Sequence, residues 1–318
     1  MAAGIGAAGI LGIAKEVTAG TWVTPAKFIP IRSESLAFAQ ETVFTRPIRG
    51  VADIVHAVAG NATVEGDIEF EVTHENLPWF LYAMRGVVTE SGLAPPHVYT
   101  FEPSSVGQKP AATGETLSIT IVRNGIVFGY VNCVVGSMEL TVDDGILVAT
   151  LSILASDETV QSAPTATWPT VPPFGAGQYV IEIPTASQVY DVDGFTFSVD
   201  DSAEHAYRLR DDGRGAMFTK FGERSSEITV ERDFDSRTDY DAFKALTSQA
   251  VHFRAEDPLE VENYIDIIMD SAIKDTYEVG LSGQGDLVRA SITYQGIYNE
   301  ANSRAFILEV GSTDEDAT

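Results

Sequence analysis

Five histidines, one cysteine and 46 carboxylates are the side chains here that could hold a metal or move a proton. The histidines are His56, His74, His97, His205 and His252. A helical zinc site needs two of them four residues apart with a glutamate between, and no such pair occurs. His74 stands beside Glu75 at the end of a strand pattern, where solvent exposure or local capping accounts for it. Cys133 is alone, which excludes an intrachain disulfide and a multi-cysteine zinc site. Set among Val131, Val134 and Val135, it reads as a small buried hydrophobe. Gly4, Gly6 and Gly9 have the spacing of a dinucleotide loop, yet no strand precedes them and no βαβ unit surrounds them, so they read as a flexible N-terminal arm. Motifs for a nucleophilic serine, a phosphate-cradling loop or an EF-hand are absent from the sequence. The pairs Asp143-Asp144, Asp200-Asp201 and Asp211-Asp212 fall in turns, and among 46 acids some pair will face another by chance. We expect no catalytic residues, no metal and no cofactor.

The charge balance narrows the partners. Lys+Arg number 20, which leaves a formal charge of −26. A nucleic-acid binder shows a basic face, and an anionic membrane repels an acidic protein. Only six of the basic residues are lysine and fourteen are arginine. Excess carboxylate with few lysines suits a protein kept in concentrated salt, where repulsion is screened within about 3 Å at 1 M. One basic cluster stands out: Arg208, Arg210, Arg214, Lys220, Arg224, Arg232 and Arg237, interleaved with Asp211, Asp212, Glu223 and Glu231. Mixed signs favour a salt-bridged protein contact over phosphate binding. Arg208, Arg210, Arg214, Lys220 and Arg224 are therefore candidates for a subunit interface, with a solvated loop as the alternative.

The elements that would position these residues are mostly strands. Residues 64–72 alternate, with Ile68, Phe70 and Val72 on one face and Asp67, Glu69 and Glu71 on the other. Residues 117–123 and 126–135 flank Asn124-Gly125, a type I′ hairpin signal. Residues 137–142 and 146–156 flank Asp143-Asp144-Gly145 as a second hairpin. Further strands are expected over 179–185, 194–200, 226–234, 263–272, 276–282 and 286–296. Two short helices are expected. Asn76 caps the first, with Pro78 in its first turn and Gly86 as its stop. The second covers 238–248, with Tyr240, Phe243, Ala245 and Leu246 as its apolar stripe. Residues 157–178 hold Pro164, Pro169, Pro172 and Pro173 and read as a linker or long ordered loop.

The pieces repeat in order. Residues 35–41, the strand around Ile68, the Asn76 helix and the 137–156 hairpin are followed by 194–201, 226–234, the Thr238 helix and 276–292. Met138-Glu139 aligns with Tyr277-Glu278, and Leu147-Val148 with Leu287-Val288. This implies an internal duplication.

At these residues the sequence resembles a known family. Its opening, with Lys15, Glu16, Thr18, Gly20, Thr21, Pro25 and Ser33 to Leu36, is similar to the start of the major tail tube proteins of long-tailed, siphovirus-like viruses. Gly66 to Gly86 match that family's glycine, alternating strand and short helix, and Val131 to Asp157 its later hairpin. With the acidic, lysine-poor composition, the resemblance points to a virus of a halophilic archaeon.

The resemblance implies a mainly β fold: tandemly duplicated tail-tube β-sandwich or barrel domains with short helices and long hairpins. The expected boundaries are an N-terminal arm (1–30), a first domain (31–157), a Pro-rich linker (158–178), a second domain (179–311) and an acidic tail (312–318). The function implied is a structural subunit that self-assembles into stacked rings whose acidic channel conducts the DNA genome to the host. Channel-lining candidates are Glu139, Asp143, Asp144, Glu278 and Asp286. A trimeric ring with pseudo-sixfold symmetry is preferred over a hexamer of chains, with the arm and the 86–115 loop as contacts between rings. Other partners would be tape-measure, tail terminator and baseplate proteins. Double-stranded DNA would pass without specific binding, and no membrane is involved. The protein would sit in the virion tail, and in the host cytoplasm during assembly. The alternatives are a non-enzymatic β-sandwich binding or adhesion module with an aromatic groove (Trp79, Trp168, Tyr240), or another virion tail component.

Overall fold

Alternating apolar and polar side chains between tight turns make strands the dominant element. The structure is a computed structural model that describes residues 9–50, 52–92, 95–103, 115–209, 214–234, 237–281 and 287–313. The first strands are β1 (Ile10–Lys15), β2 (Lys27–Ile29), β3 (Ser33–Glu34), β4 (Ala37–Thr45) and β5 (His56–Glu71), followed by helix α1 (Leu77–Tyr82). Next come β6 (Val87–Ser91), β7 (His97–Glu102), β8 (Leu117–Arg123), β9 (Ile126–Asp143), β10 (Ile146–Ala155) and β11 (Asp157–Val160). Then follow β12 (Tyr179–Glu182), β13 (Val192–Asp200), β14 (Glu204–Ala206), β15 (Phe218–Lys220) and β16 (Ser225–Asp233). Helix α2 (Thr238–Lys244), β17 (Gln249–Glu256), β18 (Tyr264–Gly280), β19 (Arg289–Gly296) and β20 (Ile307–Ser312) complete the order.

Eight of these strands form one antiparallel sheet in the order β4–β5–β10–β9–β13–β16–β19–β18. β9 and β18 run on beyond it. The first part of β9 pairs with β8 and β11, and that of β18 with β17 and β20. β1 adds to β8, and β12 to β17. The pairings β1–β8, β4–β5, β5–β10, β8–β9, β9–β10 and β9–β11 thus have counterparts after residue 178. These are β12–β17, β13–β16, β16–β19, β17–β18, β18–β19 and β18–β20. One hydrophobic core joins all of it, from Leu11, Ile119 and Leu140 to Phe197, Ile228 and Ile267.

Several expectations need correction. The pairs 126–135 with 137–142, and 263–272 with 276–282, are not separate strands. Each is one long strand, because a bulge lets the chain bend while continuing to pair. The first helix stops at Ala83, short of Gly86, and Asn76 makes no side-chain cap. Its amide instead holds the strand end, accepting from Thr73 N at 2.9 Å and donating to Glu71 O at 2.8 Å. His74 is buried rather than exposed, with Nδ1 2.9 Å from Ser312 Oγ. The described part of the 86–115 segment is the hairpin β6–β7, and β7 pairs with β20. Residues 10–15, placed in the arm by sequence, form a core strand with Leu11 and Ile13 fully buried. Gly4 and Gly6 lie outside the described residues. The Asn124-Gly125 turn is as expected, with φ of 50° and 77°.

Two local devices hold the first half together. Glu16 is buried and accepts four hydrogen bonds, from Gly20 N (2.7 Å), Thr116 Oγ1 (2.7 Å), Ser118 Oγ (3.0 Å) and Asn132 N (2.8 Å). That is the role of the glutamate in the Lys-Glu-x-Thr opening: it ties the N-terminal turn to β8 and β9. Cys133 is buried, as its valine neighbours imply, and burial pushes its thiol pKa well up.

Candidate functional site

Alternate residues along each strand of the eight-stranded sheet leave the core and stand on the opposite face. The registers set them in rows. One row reads Glu69, Thr150, Glu139, Ser198, Glu227 and Gln295 across β5, β10, β9, β13, β16 and β19. Beside it run Glu71, Val148, Thr141, Thr196, Thr229, Thr293 and, on β18, Thr276. A third row holds Gly194, Glu231, Ser291 and Glu278. Apart from Val148, the side chains in these rows are polar, and many are acidic. Asp67, Glu69, Glu71, Glu139, Glu227, Glu231 and Glu278 stand on it with Arg289, and Arg32 reaches over its edge.

Side chains stitch the rows. Thr141 Oγ1 and Thr196 Oγ1 are 3.0 Å apart across the β9–β13 joint, and Thr229 and Thr293 are 3.1 Å apart. Arg32 donates to Asp143 at 2.7 Å and to Glu71 at 3.4 Å. These bonds, the one to Asp143 foremost, raise its pKa further.

Of the channel candidates, Glu139 stands mid-sheet on this face and Glu278 on the same face at the last strand. Asp143 ends β9 and is tied to Arg32, and Asp144 stands in the β9–β10 turn with Gly145. Asp286 lies outside the described residues. Of the interface candidates, Arg208 is exposed above the Phe218 ring, and Arg210 lies outside the described residues. The Arg214 carbonyl accepts from Ala62 N at 3.0 Å, and Lys220 pairs with Glu204 across β14–β15.

Arg224 turns inward to a cluster that sequence reasoning missed. Asp201, fully buried, lies 2.5 Å from Arg224 Nε and 3.1 Å from Arg85 Nη2. Arg224 also donates to Arg85 O, and Arg85 to Gly222 O at 2.7 Å. Burial lowers the Arg85 pKa, and Asp201 opposes the shift. The cluster locks the turn after β13 against the end of α1. Asp200-Asp201 was legible as a turn pair, but nothing local in the sequence links it to Arg85.

The aromatics of the binding-module alternative do not share a groove. Trp79 is buried in the core, Trp168 packs edge-on to Phe28, and Tyr240 packs on Tyr277. Among the described residues no group of three or more His, Cys, Asp or Glu could hold a metal. No helix among them is long and apolar enough to cross a membrane.

A continuous sheet with a core face and an acidic face defines a mainly β protein. A family model described as phage tail tube protein matches residues 6–304, and the chain belongs to that family. No curated protein matches the chain. Tail tube proteins are structural and non-catalytic, so this chain is a structural component of a virion tail and not an enzyme.

Proposed function

We propose that this chain is the repeating subunit of a siphovirus-like tail tube, and that its polar sheet face lines the channel through which double-stranded DNA travels. The reading rests on one observation. The eight-stranded sheet consists of two four-stranded groups, β4–β5–β10–β9 and β13–β16–β19–β18, joined edge to edge, with an acidic face on the side away from the core. A sliding duplex needs a wall that does not hold phosphate, and carboxylates repel it whereas each lysine contact would add affinity. Glu139 and Glu278 would belong to that wall, with Asp143 and Asp144 at one end of it.

The matching strand pairings support an internal duplication, each half corresponding to one tube domain. Three chains would then complete a pseudo-sixfold ring, and rings would stack into a tube. A closed sheet also removes the edge strands that an open one leaves exposed. The chain's further partners would be tape-measure, terminator and baseplate proteins. The acidic, lysine-poor composition supports a halophilic archaeal host.

Electron microscopy of the purified protein at about 3 M salt, where long-range repulsion is screened, tests the reading. Stacked rings with an open channel and threefold order are expected. A monodisperse monomer at high concentration would overturn it.

A further inference from the structure

The joint inside the chain has a counterpart at the two free ends of the sheet. Set Ile68 of β5 against Ile228 of β16, and the registers carry the other strands into place. Leu117 falls on Val251, Ile119 on Phe253, Leu11 on Tyr179 and Ile13 on Ile181, apolar on apolar, allowing one bulge residue in β9. By the same count Thr276 takes the place of Glu139, and Ser35 that of Ser198. Glu139 and Ser198 are partners across the β9–β13 joint. Their counterparts lie at the two ends of the sheet. Beyond Ala272 that side of β18 has no strand partner among the described residues, and residues 33–37 pair only with β5.

We propose that β18 of one copy pairs antiparallel with residues 33–37 of a second copy, with Thr276 opposite Ser35, Tyr277 opposite Glu34 and Glu278 opposite Ser33. The inference rests on the tube reading and gives it a register.

Two further observations support it. Beside β13 a groove of about 480 Å³ is lined in part by Val142, Asp144 and Gly145 of the β9–β10 hairpin. Its counterpart beside β3, lined by Ile10, Ile29, Ile31, Ile121 and Trp168 with Arg123 and Asn124 of the β8–β9 hairpin, is about 880 Å³, and no second hairpin among the described residues lines it. Val279 and Leu281, at the end of β18, are exposed apolar side chains placed to enter it from the neighbouring copy. In addition, α1 beside the internal joint buries Leu77 to Leu81, whereas α2 beside the free edge of β18 buries no residue.

A disulfide tests the register. Asp201 N donates to Gly136 O at 3.1 Å, which makes Glu139–Ser198 a non-hydrogen-bonded pair, the kind with the closer side chains. Thr276 and Ser35 inherit that geometry, and both are exposed. Within one chain they are seven strand spacings apart, about 34 Å, so they can bridge only between copies. A chain carrying both Thr276→Cys and Ser35→Cys, assembled at about 3 M salt and oxidised, should give a covalent ladder on non-reducing gels that ends at the closed ring. Thr276→Cys with Ala39→Cys, four residues and about 13 Å out of register, should give none. Rings seen by microscopy without a ladder from the first pair, or with one from the second, would overturn the register and leave the tube reading standing. No rings from the unaltered chain would overturn both.

Discussion

Asp201 is the residue on which the two halves depend. Its carboxylate is fully buried between two guanidiniums that are themselves mostly buried. Removing one member of such a cluster leaves the others charged without compensation, which costs about 3–5 kcal/mol. Asp201→Ala should therefore lower unfolding stability by about that amount in denaturant titrations, whereas Asp144→Asn, in an exposed turn whose φ of 48° asparagine tolerates, should change it by less than about 0.5 kcal/mol. A second residue, His252, sets a pH dependence. Its Nε2 lies 2.9 Å from Asp266 and its Nδ1 3.0 Å from Glu182, with Arg254 on the same Asp266. The hydrogen bond to Asp266, then that to Glu182, raises the His252 pKa above its ordinary 6.5 against the effect of burial. A raised folded value means stability present in full below the unfolded value and lost as pH rises through the folded one. The melting temperature should fall as pH rises above the ordinary histidine value of 6.5, and His252→Gln should flatten that slope. An unchanged slope in the variant would assign the dependence to other groups.

Most strands were legible because their alternation and Asn-Gly or Asp-Gly turns are local signals. Two features at the element scale were not. β9 and β18 each looked like two strands, since a bulge interrupts the alternation without interrupting the pairing. With Ile68 set on Ile228, the ladders bring Tyr277-Glu278 onto Leu140-Thr141, two residues from the Met138-Glu139 match read in the sequence. The β9–β13 joint and the Arg85–Asp201–Arg224 cluster were invisible, because they depend on contacts between distant segments. The acidic face itself was half legible, in Asp67, Glu69 and Glu71, but its continuation through Thr141, Thr196, Thr229 and Thr293 needed the registers. Gly66 shows how an element is aimed. A Cβ there would lie 2.5 Å from Ser35 O and 2.6 Å from Leu36 N, and backbone cannot yield as a side-chain tip can. Gly66→Ala should push residues 33–37 off β5, costing about 1–3 kcal/mol in denaturant titrations. Because those residues form the proposed edge, ring yield by size-exclusion chromatography should drop in conditions where the monomer remains folded.

At the scale of the molecule the governing quantity is the net charge of −26. Among the described residues, ion pairs engage at least twelve of the 20 basic residues, so much of the acid excess has no countercharge within the chain. Folding gathers those carboxylates, and assembly would gather the acidic faces of several copies around one channel. Both steps work against repulsion whose range is about 10 Å at 0.1 M salt and about 3 Å at 1 M. The melting temperature should therefore rise steeply with potassium chloride from about 0.1 to 1 M and level off once neighbouring carboxylates no longer sense one another. Chloride is the salt to use, because sulfate strengthens apolar burial in any protein and would mask the charge effect. Ring formation should follow the same curve but lie at higher salt, since closing the sheet adds repulsion between chains to repulsion within them. A melting temperature insensitive to chloride would mean that the carboxylates lie too far apart to repel, and the acidic face could not act as a phosphate-repelling wall. A steep curve for folding with rings at every salt concentration would mean that the faces of different copies stand apart, which places them outside the channel instead of around it.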